Sequence, residues 1–424
     1  MISLDKLMVY GRPGQGSLME LFAGEGQSAE ELCGGIHELL RQAAEYGFYG
    51  NLWQDYLTDY LVNNENSYSL ACEMRGEVEG TINRIVLHDF EIFRQLFDLD
   101  LAALAKESGV EELSMICDYA QSSSESRAYN SRIRDRICHL AQELRQTRTA
   151  EEMKRAVTAF YKEYGVGRFG LHKAFRVEEE GNEVRILPIR NILHVRMDDL
   201  VGYEKAKKKL IDNTEAFVSK RPANNCLLYG EAGTGKSSSI KAITNEYYEK
   251  GLRIIEVYRH QFKDLNSIIS QIKGRNYRFV IYMDDLSFEE FETEYKYLKA
   301  VIEGGLEKKP ENVLIYATSN RRHLVRESFS DRDGADIGDK HHGDTVQEKQ
   351  SLSARFGVSI YFGSPTFEEY HHIVSELSER YGIVMEEKQL REEATRWEMM
   401  HGGLSGRTAQ QFVDYLRGTV VSAQ

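Results

Sequence analysis

No apolar run in the 424-residue chain approaches the length needed to cross a bilayer, so nothing in it calls for a membrane. The opening Met1-Ile2-Ser3-Leu4-Asp5 lacks the form of a secretory signal. The five cysteines (Cys33, Cys72, Cys117, Cys138, Cys226) include no C-x-x-C pair. That excludes a readable disulfide framework or zinc site, and the expectation is reduced thiols in a cytoplasmic protein. Basic charge is scarce in the front half: 31 acidic against 21 basic residues through residue 193, a balance of −10. The remainder carries 36 against 33, a balance of −3. Unspecific attraction to nucleic acid needs a basic surface, so this distribution argues against it while allowing a local basic groove. No internal repeat stands out. What is present is an ordinary globular composition, 41% hydrophobic and 29% charged, over a length that suits two or three domains.

To about Glu163 the pattern is helical. Leu32, Ile36, Leu39, Leu40 and Ala43 recur at helix spacing, as do Ile85, Phe90, Ile92, Phe93, Leu96 and Phe97. Arg132, Arg134, Arg136, Arg145 and Arg148 make one segment basic, either a solvated face paired with neighbouring acids or a docking strip for an acidic partner. Gly11-Arg12-Pro13-Gly14-Gln15-Gly16 has no lysine-serine continuation and reads as a loop. From Ala174 to Ile189 the period changes to alternation around a Glu180-Gly181-Asn182 turn, which predicts a β-hairpin. A domain boundary is expected near residue 193.

Beyond it strands and helices alternate. Cys226-Leu227-Leu228-Tyr229, Arg253 to Tyr258, Phe279 to Met283, Val313 to Ala317 and Val358 to Phe362 are the predicted strands, the first three each followed by a helical pattern. Phe279-Val280-Ile281-Tyr282-Met283 is apolar throughout, as a central parallel strand buried on both faces must be. The series predicts an α/β fold: a mostly parallel five-stranded sheet with helices on both faces and ligands at the strands' carboxyl ends. After Thr366-Phe367-Glu368-Glu369, a capping-box start, three helical segments form a C-terminal bundle. The expected domains are 1–193, 194–364 and 365–424. Between the fourth and fifth strands, 331–350 reads as a polar surface insertion. His341-His342 there and His371-His372 later lack a convincing third metal ligand.

The first α/β strand runs into Gly230-Glu231-Ala232-Gly233-Thr234-Gly235-Lys236-Ser237, followed by Ser238 and a helix. This is G-x-x-x-x-G-K-[ST] in the strand–loop–helix setting that lets it cradle polyphosphate. Its glycines allow backbone N–H groups to point into one concavity, and the helix N-terminus adds partial positive charge. Lys236 is expected to reach the β- and γ-phosphates, and the Ser237 hydroxyl to ligate Mg²⁺. The third strand ends in Asp284-Asp285: Asp284 is the candidate Mg²⁺-organising carboxylate, Asp285 the candidate base for an attacking water, with Glu289 and Glu290 as substitutes. Asn320, after the fourth strand, suits a hydrogen bond to the γ-phosphate or the water. Arg355 and Arg407, each a surface arginine on local pattern alone, are candidates for neutralising charge on a transferring phosphoryl group.

These residues resemble the AAA+ ATPases. Gly230 to Ser237 is similar to their Walker A, Asp284-Asp285 to Walker B, Asn320 to sensor 1, Arg355 to the finger acting on a neighbouring subunit's nucleotide, and Arg407 to sensor 2 in the lid. Leu200-Val201-Gly202-Tyr203 resembles the segment that folds over the adenine, with Val201 and Gly202 as cofactor-binding residues. The match is closer still to a bacterial family, domain of unknown function 815, through Asp284 to Glu289, Leu314 to Arg322 and Ser351 to Gly357. The resemblance implies a strand order of 5-1-4-3-2 with a helical lid, ATP and Mg²⁺ as ligands, and ATP hydrolysis. It also implies self-assembly into a ring or partial ring, with a protein or nucleic-acid client. An Asn-Lys-x-Asp guanine-reading motif is absent, as is the cluster of lid arginines a phosphotransferase needs. One departure is Asp285, where the superfamily has glutamate; the shorter side chain opens a second reading, a nucleotide-dependent switch or scaffold with negligible turnover.

Overall fold

A computed structural model describes residues 2–14, 16–120, 129, 131–181, 183–190, 192, 194–288, 294–303, 310–322, 324 and 352–420. Glu289, Glu290, His341, His342 and the 331–350 stretch lie outside the described residues, as does Asn182 of the hairpin turn. The chain divides into two compact units, Met1–His172 and Lys173–Gln424.

The first unit is helical: α1 (Leu18–Ala23), α2 (Ala29–Tyr46), α3 (Leu52–Asn63), α4 (Ser67–Arg75), α5 (Ile82–Phe97), α6 (Leu101–Ser108), α7 (Glu112–Met115), α8 (Ser131–Gln146), α9 (Ala150–Tyr164) and α10 (Gly167–Leu171). Local signals set the ends. α2 begins at a Ser28–Glu31 capping box and stops at Gly47, whose φ of 78° is left-handed. Leu32, Ile36, Leu39 and Ala43 face the core, whereas Leu40 and Ile85 are exposed and fall outside the buried stripe. The arginines of α8 have local partners: Arg134 pairs with Asp135, Arg145 Nε donates to Gln54 Oε1 at 2.7 Å, and Arg136 lies 4.2 Å from the Tyr164 ring centre. Of these contacts only the Arg134–Asp135 pair joins an arginine to an acid.

Two carboxyls of α3 lie one turn apart, Asp55 buried and Asp59 half-buried. Burial pushes Asp55 up to about 8, and Asp55 Oδ2 has no hydrogen-bond partner. Burial pushes Asp59 up to about 7, although Tyr129 and Asn63 each donate to its Oδ1 at 2.9 Å. Folded values above the unfolded one mean that the stabilisation is complete below the unfolded pKa and is lost as pH rises through about 7 to 8. Urea unfolding, followed by Trp53 fluorescence in a Trp397→Phe background, should lose a few kcal/mol between about pH 5 and about pH 8. Asp55→Asn should flatten that slope; an unchanged slope removes Asp55 as its source.

The second unit contains β1 (Ala174–Glu180), β2 (Glu183–Pro188), α11 (Glu204–Val218), β3 (Cys226–Gly230), α12 (Lys236–Tyr247), β4 (Leu252–Glu256), α13 (Leu265–Ile272), β5 (Arg278–Met283), α14 (Glu294–Glu303), β6 (Val313–Ser319) and β7 (Val358–Phe362). Helices α15 (Phe367–Arg380), α16 (Glu387–Met400) and α17 (Gly406–Val420) close it. The sheet order is β2-β1-β4-β5-β6-β3-β7. Its five core strands run β7-β3-β6-β5-β4, all parallel, which is the 5-1-4-3-2 order expected. The sheet has seven strands rather than five, because the hairpin adds to its edge: β1 pairs parallel with β4 (Ala174 opposite Ile254) and antiparallel with β2. Ladder hydrogen bonds therefore draw the hairpin into the second unit, and the break between units falls before it, not near residue 193. The α15–α17 lid has its own core of Tyr370, Ile373, Val374, Ala409, Phe412 and Val413. Among the described residues no helix is long and apolar enough to cross a membrane.

Candidate nucleotide site

The carboxyl ends of β3, β5 and β6 meet the lid around a cleft of about 600 Å³. β3 ends at Gly230, with φ 136°, and here only glycine fits: an added Cβ would sit 1.9 Å from the Phe362 carbonyl oxygen. That oxygen accepts from Glu231 N–H at 3.1 Å, so β7 pins the start of the loop. Thr234 closes it by donating to the Glu231 carbonyl at 2.8 Å. Ala232, Gly233, Thr234, Gly235, Lys236, Ser237 and Ser238 then line the cleft, while Gly230 and Glu231 shape the loop without lining it.

Lys236 is buried, and its Nζ donates to the carbonyls of Gly230 (2.8 Å) and Glu231 (2.6 Å) and to Asn320 Oδ1 (3.1 Å). Burial lowers its pKa, and the nearby Asp285, Glu231 and Asp284 only partly offset that. Its partners are thus neutral oxygens, with no carboxylate bonded to the ammonium among them. A lysine at a helix start, desolvated and facing the positive helix end, is a site in want of an anion.

Opposite it, parallel register sets Met283 against Ala317, so Asp284 and Thr318 emerge side by side. Thr318 Oγ1 donates to Asp284 Oδ1 at 2.6 Å and accepts from Asp285 N–H at 2.9 Å, and its carbonyl accepts from Leu286 N–H at 2.7 Å. Asp285 takes a left-handed φ of 49°, one that aspartate tolerates better than most side chains and that fits the two successive N–H groups turning onto Thr318. Ser237 Oγ donates to the same Asp284 Oδ1 at 2.7 Å. Burial pushes the Asp284 carboxyl up, but hydroxyl donors led by Thr318 outweigh it and hold the group below the usual carboxylate range. A hydroxyl and an ionised carboxylate side by side form a hard-oxygen pair of the kind Mg²⁺ takes. Asn320 joins the two halves: its Oδ1 takes Lys236, and its Nδ2 donates to Asp285 Oδ1 at 2.8 Å.

The lid contributes Arg407, whose side chain lines the cleft and whose N–H donates to the Gly233 carbonyl at 3.1 Å. Leu200, Val201, Tyr203, Ile373 and Leu377 supply an apolar wall of the cleft. Gly202 (φ 81°) turns that segment without lining the cleft. Arg355 is the residue that the fold does not bring to this cleft; it pairs with Glu303 at the end of α14. Thr318, Ile373 and Leu377 are additions that the sequence reading did not single out. Thr318 was findable: a hydroxyl at the end of one parallel strand, in register with the acid ending its neighbour.

The family model described as "Protein of unknown function (DUF815)" matches residues 170–420. A 69-residue stretch is 38% identical to the replication factor C large subunit of Staphylothermus marinus, covering 16% of this chain and 16% of that protein. Among solved structures, Thermotoga maritima RuvB with the T158V substitution matches over 54% of this chain and 66% of its own, with 18% identity and a TM-score of 0.38. The structure titled as the Thermotoga maritima RuvB Holliday junction branch migration motor gives 17% identity and 0.37 over the same shares. The chain thus spans under a fifth of the curated relative and about two thirds of each RuvB chain. The family model covers well over half of the sequence, from β1 through the lid, and the protein belongs to the DUF815 family.

Proposed function

We propose that this chain is an AAA+ ATPase that binds Mg-ATP in the β3–β5–β6 cleft, hydrolyses it, and couples turnover to conformational work on a protein or nucleic-acid client. One observation carries the reading: Lys236, Asn320 and Asp285 form one continuous polar chain, facing the Thr318–Asp284–Ser237 chain in one cleft. Lys236 would exchange its loop carbonyls for phosphate oxygens, and Arg407 would add a second cation from the lid. Ser237 and Asp284 fit a Mg²⁺ ion, which supplies neutralisation of phosphate charge when bound. Asp285, with Asn320 orienting its carboxylate, is the group to accept a proton from an attacking water. The chain would work in the cytoplasm as a ring or partial ring, with Arg355 completing a neighbour's site and the N-terminal helical region meeting the client.

Calorimetric titration and steady-state ATPase over a range of protein concentrations test this. Binding should need Mg²⁺, specific activity should rise with concentration, and Asp285→Asn should cut turnover about a hundredfold or more while keeping affinity. A chain that binds nothing, or whose Asp285→Asn form turns over normally, sinks the reading. The short Asp285 side chain favours a nucleotide-held switch as the second reading, and Asp285→Glu separates the two. A gain of about tenfold or more marks a parent kept slow by a carboxylate too short to reach its water.

A further inference from the structure

The apolar wall of the cleft is backed by an unusual set of donors. Arg380, the last residue of lid helix α15, donates from its two terminal nitrogens to the carbonyls of Asp198 (2.7 Å) and Asp199 (2.9 Å). Lys207 Nζ, on α11, donates to the next carbonyl, Leu200, at 2.7 Å and pairs with Glu204. Three consecutive backbone carbonyls are thus each held by a side-chain cation, immediately before Val201 and Tyr203. The segment leaves a single 3-10 turn, Met197–Asp199, and then turns through Gly202 (φ 81°) into Tyr203 (φ 59°). The Tyr203 ring meets Phe362, centres 5.4 Å apart, and the Phe362 carbonyl holds the phosphate loop at Glu231. Arg380 itself is exposed and does not line the cleft.

We infer that Arg380 is a positioning residue for the nucleobase: the planar guanidinium ties the lid to the 198–201 wall, so the base is gripped only while the lid is docked. The inference rests on the nucleotide-binding reading above and adds to it the link between base and lid. Two charge-assisted bonds from one rigid fork fix both position and direction. Lysine at the same place brings a compact charge without the planar fork, so it holds the two carbonyls with less directional control. The loop and Arg407, which the proposed function assigns to the phosphates, are held by other contacts and do not involve this tie.

The test compares ATP with inorganic tripolyphosphate, which has the phosphates and no base. Titration calorimetry with the full chain in Mg²⁺ should give, for Arg380→Ala, about tenfold weaker ATP binding with tripolyphosphate binding unchanged within about twofold. Arg380→Lys should fall between Arg380→Ala and the parent for ATP. Equal weakening of both ligands would mean general damage to the lid and overturns the inference, as does no change in either. A parent chain that binds tripolyphosphate no more weakly than ATP overturns it too, while leaving the phosphate-loop assignment intact. A parent that binds neither removes the underlying reading as well.

Discussion

Lys236→Ala is expected to abolish measurable Mg-ATP uptake and to cut hydrolysis by about two to three orders of magnitude, the scale on which a preorganised charge donor acts in a dry site. Lys236 is 7% exposed and its ammonium has three oxygen partners within 3.1 Å, so its orientation is set before any ligand arrives. Removing it takes one donor from the Gly230 and Glu231 carbonyls and opens the space the lysine filled to water from the cleft. The fold should therefore survive, with β3 and β7 still joined at Gly230 and Phe362. Thermal unfolding with and without nucleotide reads the result. A ligand at a hundred times its dissociation constant stabilises the folded chain by about 2.7 kcal/mol, and the variant should lose that increment. Lys236→Arg should not restore it fully, because a planar fork cannot take the place of a compact ammonium among two carbonyls and an amide. An alanine variant that keeps the full nucleotide-induced shift would remove the phosphate-loop assignment, and the roles of Asp284 and Asn320 with it. Because burial lowers the lysine pKa, affinity should also decline with rising pH sooner than an exposed lysine allows.

Much of this site was legible from the sequence because its parts are local. Gly230 to Ser237 is a contiguous motif, and β5 announces itself as a fully apolar run that ends in two acids. The core strand order followed from resemblance. What escaped depends on contacts between distant residues. The hairpin was readable as two strands, but nothing nearby in sequence states that Ala174 pairs with Ile254, so its membership of the sheet was assigned to the wrong side of a boundary. Thr318 belongs to no motif, and only register sets it beside Asp284. Arg380 is one of many arginines at a helix end, and only the fold brings it to carbonyls some 180 residues away. Leu40 and Ile85 kept the helical period yet face solvent, since an apolar stripe wider than the contact it serves leaves its margins uncovered.

Arg355→Ala should lower the hydrolysis rate of the assembled protein by about a thousandfold, the effect of removing an arginine that neutralises a transferring phosphoryl group. In the role proposed above, Arg355 acts on another copy. Arg355 lies just before β7, is ion-paired with Glu303 of its own chain, and is not among the residues lining its own cleft. In that role it would leave Glu303 for a phosphate bound to a neighbouring copy. Nucleotide affinity of the isolated chain should therefore stay within about twofold of the parent, so the loss falls on kcat and not on binding. Mixing is the sharper measurement. Arg355→Ala chains retain an intact loop, and Lys236→Ala chains retain an intact finger. Each alone should be inactive, while an equimolar mixture should recover a substantial part of the parent rate wherever the two kinds sit side by side. If Arg355→Ala alone keeps the assembled activity, the arginine is a surface residue paired with Glu303 and the neighbour-acting role fails. If both variants are inactive and the mixture is no better than either, Arg355 acts within its own chain or supports the fold, and the case for shared sites is lost.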